Sequence, residues 1–433
     1  MARHTLKEII ALYQETFYTN DVAPVALVAA ILVGSRLNSI PPVWMYVIGP
    51  SAGGKSALME CFNKVPFCTQ VSDLTPNTFL SGFSNGKRET SLLHRLGRNF
   101  TIMMKDFTTI LSKADETQSA IISQMREIYD GHITKETGTG ITLEWGGKTS
   151  ATKGHATFVM ASTEAIFAVQ DKFADMGTRA TNYVMTAQDR RAVTKRSLRN
   201  NSSFADKMDH IQTVFAEFVM DMVAELPETL PYVDEKLEDE LIEVADFSAI
   251  CRSVVKRDYR GVKNLALSAE MPSRIANQLL AQTQMLTYIN GGVLDEYLKN
   301  AVFKMGVDSI PKQRRLVLEA LAKYNRTTKS GIADYTNYTP DRVQEWLEDL
   351  NMFGICTRIK SKNTQYWQLK EEHRATMIKF LAIKRENGDL QGEADNEDNY
   401  SGAGNYNDPD ISYEAQETQV IIEENAEIDF NKF

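Results

Sequence analysis

Val43-Trp44-Met45-Tyr46-Val47-Ile48-Gly49-Pro50-Ser51-Ala52-Gly53-Gly54-Lys55-Ser56 is the stretch that decides the fold. Its six leading apolar residues predict a buried strand, and the glycine-rich run behind them predicts a tight turn into the helix that opens with Ala57-Leu58-Met59-Glu60. Strand, glycine-rich turn and helix N-terminus in that order make a P-loop, whose backbone N–H groups face a phosphate chain with the positive end of the helix behind them. Gly49, Gly53 and Gly54 allow the close approach, and Pro50, Ser51 and Ala52 complete the turn. Lys55 is then expected to reach the β- and γ-phosphates and Ser56 to ligate Mg²⁺, with Ala57 continuing the phosphate-facing helix end. The stretch by itself implies a bound nucleoside triphosphate with Mg²⁺.

The 433 residues suffice for two or three domains. A net charge of −9 is unevenly spread: from Glu386 onward there are fourteen acids and one lysine, or −13, which leaves the first 385 residues at +4. The body is therefore mildly basic, which suits nucleic acid, and the tail repels it. The longest apolar stretch, Val22 to Val33, contains Pro24 and is too short to cross a bilayer. Met1-Ala2-Arg3-His4-Thr5-Leu6-Lys7-Glu8 lacks the apolar core of a signal peptide. A cytoplasmic protein without a membrane partner is expected. Cys61, Cys68, Cys251 and Cys356 are scattered, which predicts thiols rather than zinc ligands or disulfides.

Apolar spacing makes residues 1–41 an N-terminal helical segment. Strand-like and helical runs alternate over 42–200, which predicts an α/β core with a mainly parallel sheet. Residues 201–307 read as a helical lid, 308–372 as three helices and a hairpin, and 373–385 as a linker helix. From 386 to 433 the composition predicts a disordered acidic tail.

Two more strands belong with the first. Phe100-Thr101-Ile102-Met103-Met104-Lys105-Asp106 is apolar and ends in a carboxylate, the form of a Walker B element in which Asp106 and Ser56 hold Mg²⁺. Ala156-Thr157-Phe158-Val159-Met160-Ala161-Ser162-Thr163 ends in hydroxyls, and a polar group there would lie between the other two strands and orient the attacking water. This form resembles the sensor-1 strand of the AAA+ ATPases, with Thr163 or Ser162 at the matching position. Ser123-Gln124-Met125-Arg126-Glu127-Ile128-Tyr129-Asp130-Gly131-His132-Ile133-Thr134-Lys135 is similar to the segment ahead of sensor 1 in minichromosome maintenance helicases and bacterial enhancer-binding activators. Those families insert a β-hairpin here, and Gly138-Thr139-Gly140 would be its turn. Lys148 and Lys153, on or after the returning strand, are where the resemblance implies contact with DNA in a ring's pore.

Asp175-Met176-Gly177-Thr178-Arg179 is similar to the segment that carries the AAA+ arginine finger, which implies that Arg179 acts in trans and that the chain forms a ring or filament of subunits, a hexameric ring being the expectation. Ala269-Glu270-Met271-Pro272-Ser273-Arg274-Ile275-Ala276-Asn277-Gln278-Leu279 resembles the lid helix whose arginine is sensor 2, which implies that Arg274 meets the nucleotide in cis. Upstream, Arg252 to Asp258 reads as a basic helical face. AAA+ Walker B motifs usually read Asp-Glu, and here Phe107 follows Asp106. Glu127, or Asp73, is the expected substitute base. Lys105-Asp106-Phe107-Thr108, Leu74-Thr75-Pro76-Asn77 and Glu127-Ile128-Tyr129-Asp130-Gly131 resemble a group of phage and mobile-element AAA+ proteins with a C-terminal winged helix, over about residues 1 to 372. Phe107 belongs to that group's own pattern.

Pro311 to Leu321 predicts a first C-terminal helix, Lys329 to Tyr335 a second, and Thr339-Pro340-Asp341-Arg342 caps a third. Strands over 355–359 and 365–369, joined by Lys360-Ser361-Lys362-Asn363-Thr364, complete a winged-helix pattern. Lys360 and Lys362 on the wing are candidate DNA contacts, together with Arg342, Gln344, Lys312, Arg314 and Arg315. The acids Asp341, Glu345, Glu348 and Asp349 leave a protein-docking module open. The end of the chain, Val420 to Phe433, resembles the acidic, phenylalanine-ended tails of single-stranded-DNA-binding proteins, which implies a replication-protein partner. The whole reads as a phage or mobile-element AAA+ ATPase in a bacterial host cell, acting on single-stranded or forked DNA as a helicase or an initiator or helicase loader. An ATP-switched winged-helix regulator and a transposition-type ATPase are the alternatives.

Overall fold

The apolar stretch ahead of the glycine-rich turn is the short strand β1 (Met45–Ile48), buried along its whole length. Met45 and Val47 enter one apolar cluster while Tyr46 and Ile48 enter the other, so the strand is covered on both faces. The computed structural model describes residues 3–82, 91–136, 140–149, 151–172, 179–253, 255–257, 263–266 and 269–388. Its further strands in this half are β2 (Cys68–Gln70), β3 (Asn99–Met104), β4 (His132–Glu136), β5 (Thr142–Gly146), β6 (His155–Ser162) and β7 (Thr181–Val184). Five of them form one parallel sheet in the order β2-β3-β6-β1-β7. The protein is thus α/β, as the alternating pattern predicted. Strands β4 and β5 stand apart as an antiparallel hairpin. Of its expected turn, Gly138 and Thr139 lie outside the described residues.

Residues 1–41 do not stand apart from this core. Helices Leu6–Thr16 and Ala23–Gly34 join it, and every residue of the second is buried. Gln282, on the helix Ser273–Ile289, donates to the Leu27 carbonyl at 2.9 Å, which ties the two helices together. The chain up to Asp389 is one compact unit. Helices Phe204–Ala224, Glu235–Cys251, Ser273–Ile289 and Glu296–Asp308 make up the predicted helical region. It also contains an unpredicted antiparallel pair, β8 (Val255–Arg257) and β9 (Lys263–Ala266). The expected basic helical face over Arg252 to Asp258 is therefore corrected: Arg252 caps the helix, and the chain leaves it as a strand.

The C-terminal module has helices Lys312–Tyr324, Lys329–Thr336 and Pro340–Met352. With them stands a three-stranded antiparallel sheet of β10 (Arg326–Thr327), β11 (Cys356–Ser361) and β12 (Thr364–Leu369) in the order β10-β12-β11. A last helix, Glu371–Glu386, follows. Buried charges fasten the module to the core. Arg315 reaches out of the module to Asp308 at 2.8 Å, a carboxylate that Lys304 also holds at 2.5 Å from its own helix, and on the module side Lys384 lies 2.8 Å from Glu319. Arg314 donates to the carbonyls of Cys251 and Ser253 at 2.8 and 2.6 Å. Among the described residues no helix is long and apolar enough to cross a membrane. The four cysteines are free thiols, and burial pushes Cys68 and Cys356 up to about 12.

Candidate active site

The sheet order brings three of the singled-out segments to one edge. β6 pairs with β1 on one side and with β3 on the other, so the hydroxyl-ended strand does lie between the loop strand and the carboxylate strand. The ladder continues past the strand ends: the Gly49 N–H donates to the Ser162 carbonyl at 3.2 Å and the Phe107 N–H to the Ala161 carbonyl at 2.7 Å. Gly49, Thr163 and Asp106 therefore follow the ends of three neighbouring parallel strands, about 10 Å across at two strand spacings.

Within the loop, Gly54 has φ 87° and caps the helix Lys55–Cys61, a conformation that costs glycine nothing. A Cβ on Gly53 would come 2.9 Å from the Pro50 carbonyl oxygen, so this cradle has room only for hydrogen. Lys55 is buried and donates to the carbonyls of Gly49 and Pro50 at 2.8 and 2.6 Å. Burial draws its pKa down from the ordinary value, and the Asp106 carboxylate opposes the shift. A phosphate would offer this ammonium a stronger acceptor than two neutral carbonyls.

Ser56 Oγ lies 3.4 Å from the Lys105 carbonyl, and Asp106 is exposed with one oxygen held by the Thr108 N–H at 2.9 Å and by the Thr108 hydroxyl. A hydroxyl and a carboxylate brought together are hard oxygen donors suited to Mg²⁺. Among the described residues no group of three or more His, Cys, Asp or Glu could hold a metal alone, so phosphate oxygens and water would fill the shell. Phe107 turns away from the site. Its ring is buried in the core, edge-on to Tyr46 with centroids 5.1 Å apart.

Beside the loop opens a cavity of about 630 Å³, bounded by Gly49 to Ser51, by Thr163 and Glu164, and by the C-terminal module. Lys312 Nζ reaches across it to Glu164 at 2.5 Å. Glu164 escaped the sequence reading, although it directly follows Thr163.

Glu127, Arg179 and Arg274 are not brought to this edge. Helix Asp115–Tyr129 starts beside the end of β3, where Gln118 donates to the Leu111 and Lys113 carbonyls at 2.9 and 2.5 Å. At roughly 1.5 Å per residue it carries Glu127 some 18 Å away. Tyr129, two residues on, packs edge-on against Trp44, which precedes β1. Arg179 and Arg274 meet at that same far edge. Gln278, one turn after Arg274, accepts from the Trp44 N–H at 3.1 Å and donates to the Arg179 carbonyl at 3.0 Å. The expected cis role of Arg274 is therefore corrected: its helix docks with this end at the beginning of β1, opposite the loop. Asp73 stays at the loop edge, paired with Lys113 at 3.0 Å.

The far edge holds a cluster of guanidiniums. Arg252 makes two 2.7 Å hydrogen bonds to Glu270, Arg274 lies 3.2 Å from Glu270, and Arg179 lies 3.2 Å from Asp130. Arg179 Cζ also stands 6.0 Å from the Tyr129 ring centroid. Burial and then the neighbouring Arg179 pull the Arg274 guanidinium below its ordinary value. Tyr129 is pushed up to about 12 by burial, against the pull of Arg274 and Arg179. Residues 175–178 of the segment expected to carry an arginine finger lie outside the described residues.

No protein-family model matches the chain, and no curated protein matches it.

The expected DNA contacts divide. Lys360 and Lys362 are exposed at the β11–β12 turn, where Lys362 has φ 52°. Lys148 and Lys153 are exposed in the loop between β5 and β6, at the base of the hairpin and not at its tip. Lys312, Arg314 and Arg315 are corrected: the ion pairs of Arg314 and Arg315 face the core, and Lys312 is held by Glu164 at the cavity. Arg342 and Gln344 bond along their own helix to Glu345 and Glu348 at 3.0 and 2.7 Å. A stronger basic surface escaped notice in the helix Arg190–Asn200, which carries five cations and no acid.

Proposed function

We propose that this chain is an AAA+ ATPase that assembles head to tail and acts on DNA. The observation that supports it best is the strand order, which sets the P-loop, a polar strand end and an exposed carboxylate side by side on one sheet edge. In this reading Lys55 leaves the Gly49 and Pro50 carbonyls for the β- and γ-phosphates, and the loop's N–H groups hold the phosphate chain. Bound Mg²⁺, held by Ser56 and Asp106, would neutralise charge on the phosphate oxygens. Thr163 orients the attacking water from the strand between them.

The far-edge arginines complete the site of the next subunit. Arg179 acts in trans, as its resemblance implies, and Arg274 belongs with it. Each now binds a carboxylate, Asp130 or Glu270, that a neighbour's phosphates would replace. The topology of the C-terminal module, three helices with strands leading into an exposed basic turn, supports a winged helix. DNA contact falls to its wing lysines, the hairpin-base lysines and the Arg190–Asn200 helix. Replication in a phage or mobile element, with helicase or loader action, remains the preferred setting.

ATP turnover with and without single-stranded DNA tests the reading. Turnover that DNA stimulates and Lys55→Ala abolishes supports it, and turnover indifferent to both contradicts it. Reversing Arg191, Lys195 and Arg199 to glutamate should weaken the stimulation without touching the basal rate. The regulator reading is favoured by one observation, the burial of Phe107 where a water-activating glutamate is usual.

A further inference from the structure

With Phe107 in the core and Glu127 at the far edge, the carboxylates left at the loop edge are Asp106, assigned to Mg²⁺, and Asp73, held by Lys113 at 3.0 Å, and neither lines the cavity beside Gly49 to Ser51. Three carboxylates line the cavity that adjoins Gly49 to Ser51: Glu164, Asp308 and Glu319. Asp308 and Glu319 are both 1% exposed and are committed to structure, the first holding Lys304, Arg315 and the Val184 N–H, the second holding Lys384. Withdrawing either would leave buried cations uncompensated. Glu164 differs in each respect. Its side chain is 54% exposed, it directly follows Thr163, and its ion pair is to Lys312, which is itself 29% exposed. A pair this open costs little to exchange.

We infer that Glu164 orients and deprotonates the water that attacks the γ-phosphate, and that Lys312 holds it in readiness from the C-terminal module. The inference rests on the ATPase reading. A bond forms from the water oxygen to the γ-phosphorus as the bond from that phosphorus to the β,γ-bridging oxygen breaks. ADP departs with the electron pair of the broken bond, and the water proton passes to Glu164 and on to the released phosphate. The γ-phosphate, more highly charged than a carboxylate, competes for Lys312 and frees Glu164 as it binds. The first helix of the C-terminal module, corrected above from a DNA surface, is on this view part of the ATP site.

The test is Glu164→Gln in the full chain, read by steady-state turnover and by titration with a fluorescent ATP analogue. Removing a positioned base should lower kcat roughly 10²- to 10⁴-fold while nucleotide affinity stays within a few-fold. Glu164→Asp should recover part of kcat. Turnover that needs Lys55 yet survives Glu164→Gln would overturn this inference alone. So would a Glu164→Gln protein that loses nucleotide binding and turnover together, since the residue would then be structural. Absence of any Lys55-dependent turnover in the wild type would overturn the parent reading as well.

Discussion

The two edges of the central sheet are built from different chemistry. At the edge where β1, β3 and β6 end, a glycine-rich loop, a lysine, a serine and an aspartate suit a phosphate chain and its metal. At the edge where those strands begin, Arg179, Arg252 and Arg274 gather around Tyr129, Asp130 and Glu270. In the proposed ATPase reading one edge receives phosphates, and the other offers cations to the phosphates of a neighbouring copy. Within one chain the two cannot meet, because the strands lie between them. The difference suggests two halves of a single site, joined only when one copy sets its arginines against the loop of the next.

The sharpest way to break this comparison is Arg179→Ala. A trans-acting guanidinium contributes about 10³- to 10⁵-fold to kcat, so turnover should fall by that range while nucleotide still binds. Unchanged turnover would leave the far-edge cluster a fold element. Lys55→Ala attacks the other edge, and the loss of one preorganised donor should cost about 10²- to 10³-fold in kcat, with weaker ATP binding as well.

A smaller change tests whether the C-terminal module truly roofs the loop edge. Asp308→Ala strands Lys304 and Arg315 in the interior, so it should destabilise the fold by about 3–5 kcal/mol in denaturant unfolding. A loss below 1 kcal/mol would mean that the roof is held by other contacts. The smallest effect concerns pH at the arginine edge. His155, at the start of β6, is held down to about 4 by burial and then by the Arg36 cation. Its neutral form is the one the fold accepts, so its contribution is complete above the ordinary value of 6.5 and fades as pH falls towards 4. The loss is on the order of 3 kcal/mol at most. His155→Gln should flatten that part of the stability curve, and an unchanged curve would show that the imidazole is not buried in solution.

The loop edge could be read from the chain because its information is local. Six apolar residues, three glycines and a lysine in fixed order specify strand, turn and helix, and the alternation of strands and helices specifies a parallel sheet. The far edge could not. A 17-residue helix pattern gives the face that Arg274 shares with Gln278 but not the end of the sheet against which the helix docks. Arg314 and Arg315 looked like phosphate ligands because their partners, Asp349 and Asp308, are settled by tertiary packing. Strands β8 and β9 were too short and too polar to rise above a helical background. Phe107 was legible as a departure from pattern, and only its burial against Tyr46 explains why no carboxylate would be tolerated there.

The most direct test of the divided site mixes two damaged chains. Lys55→Ala keeps an intact arginine edge, and Arg179→Ala keeps an intact loop edge. Each alone should be inactive. Co-assembled, they should recover ATP turnover, because some interfaces pair a sound loop with a sound arginine. A mixture that assembles and stays as inactive as its parts would contradict a site shared between neighbouring copies.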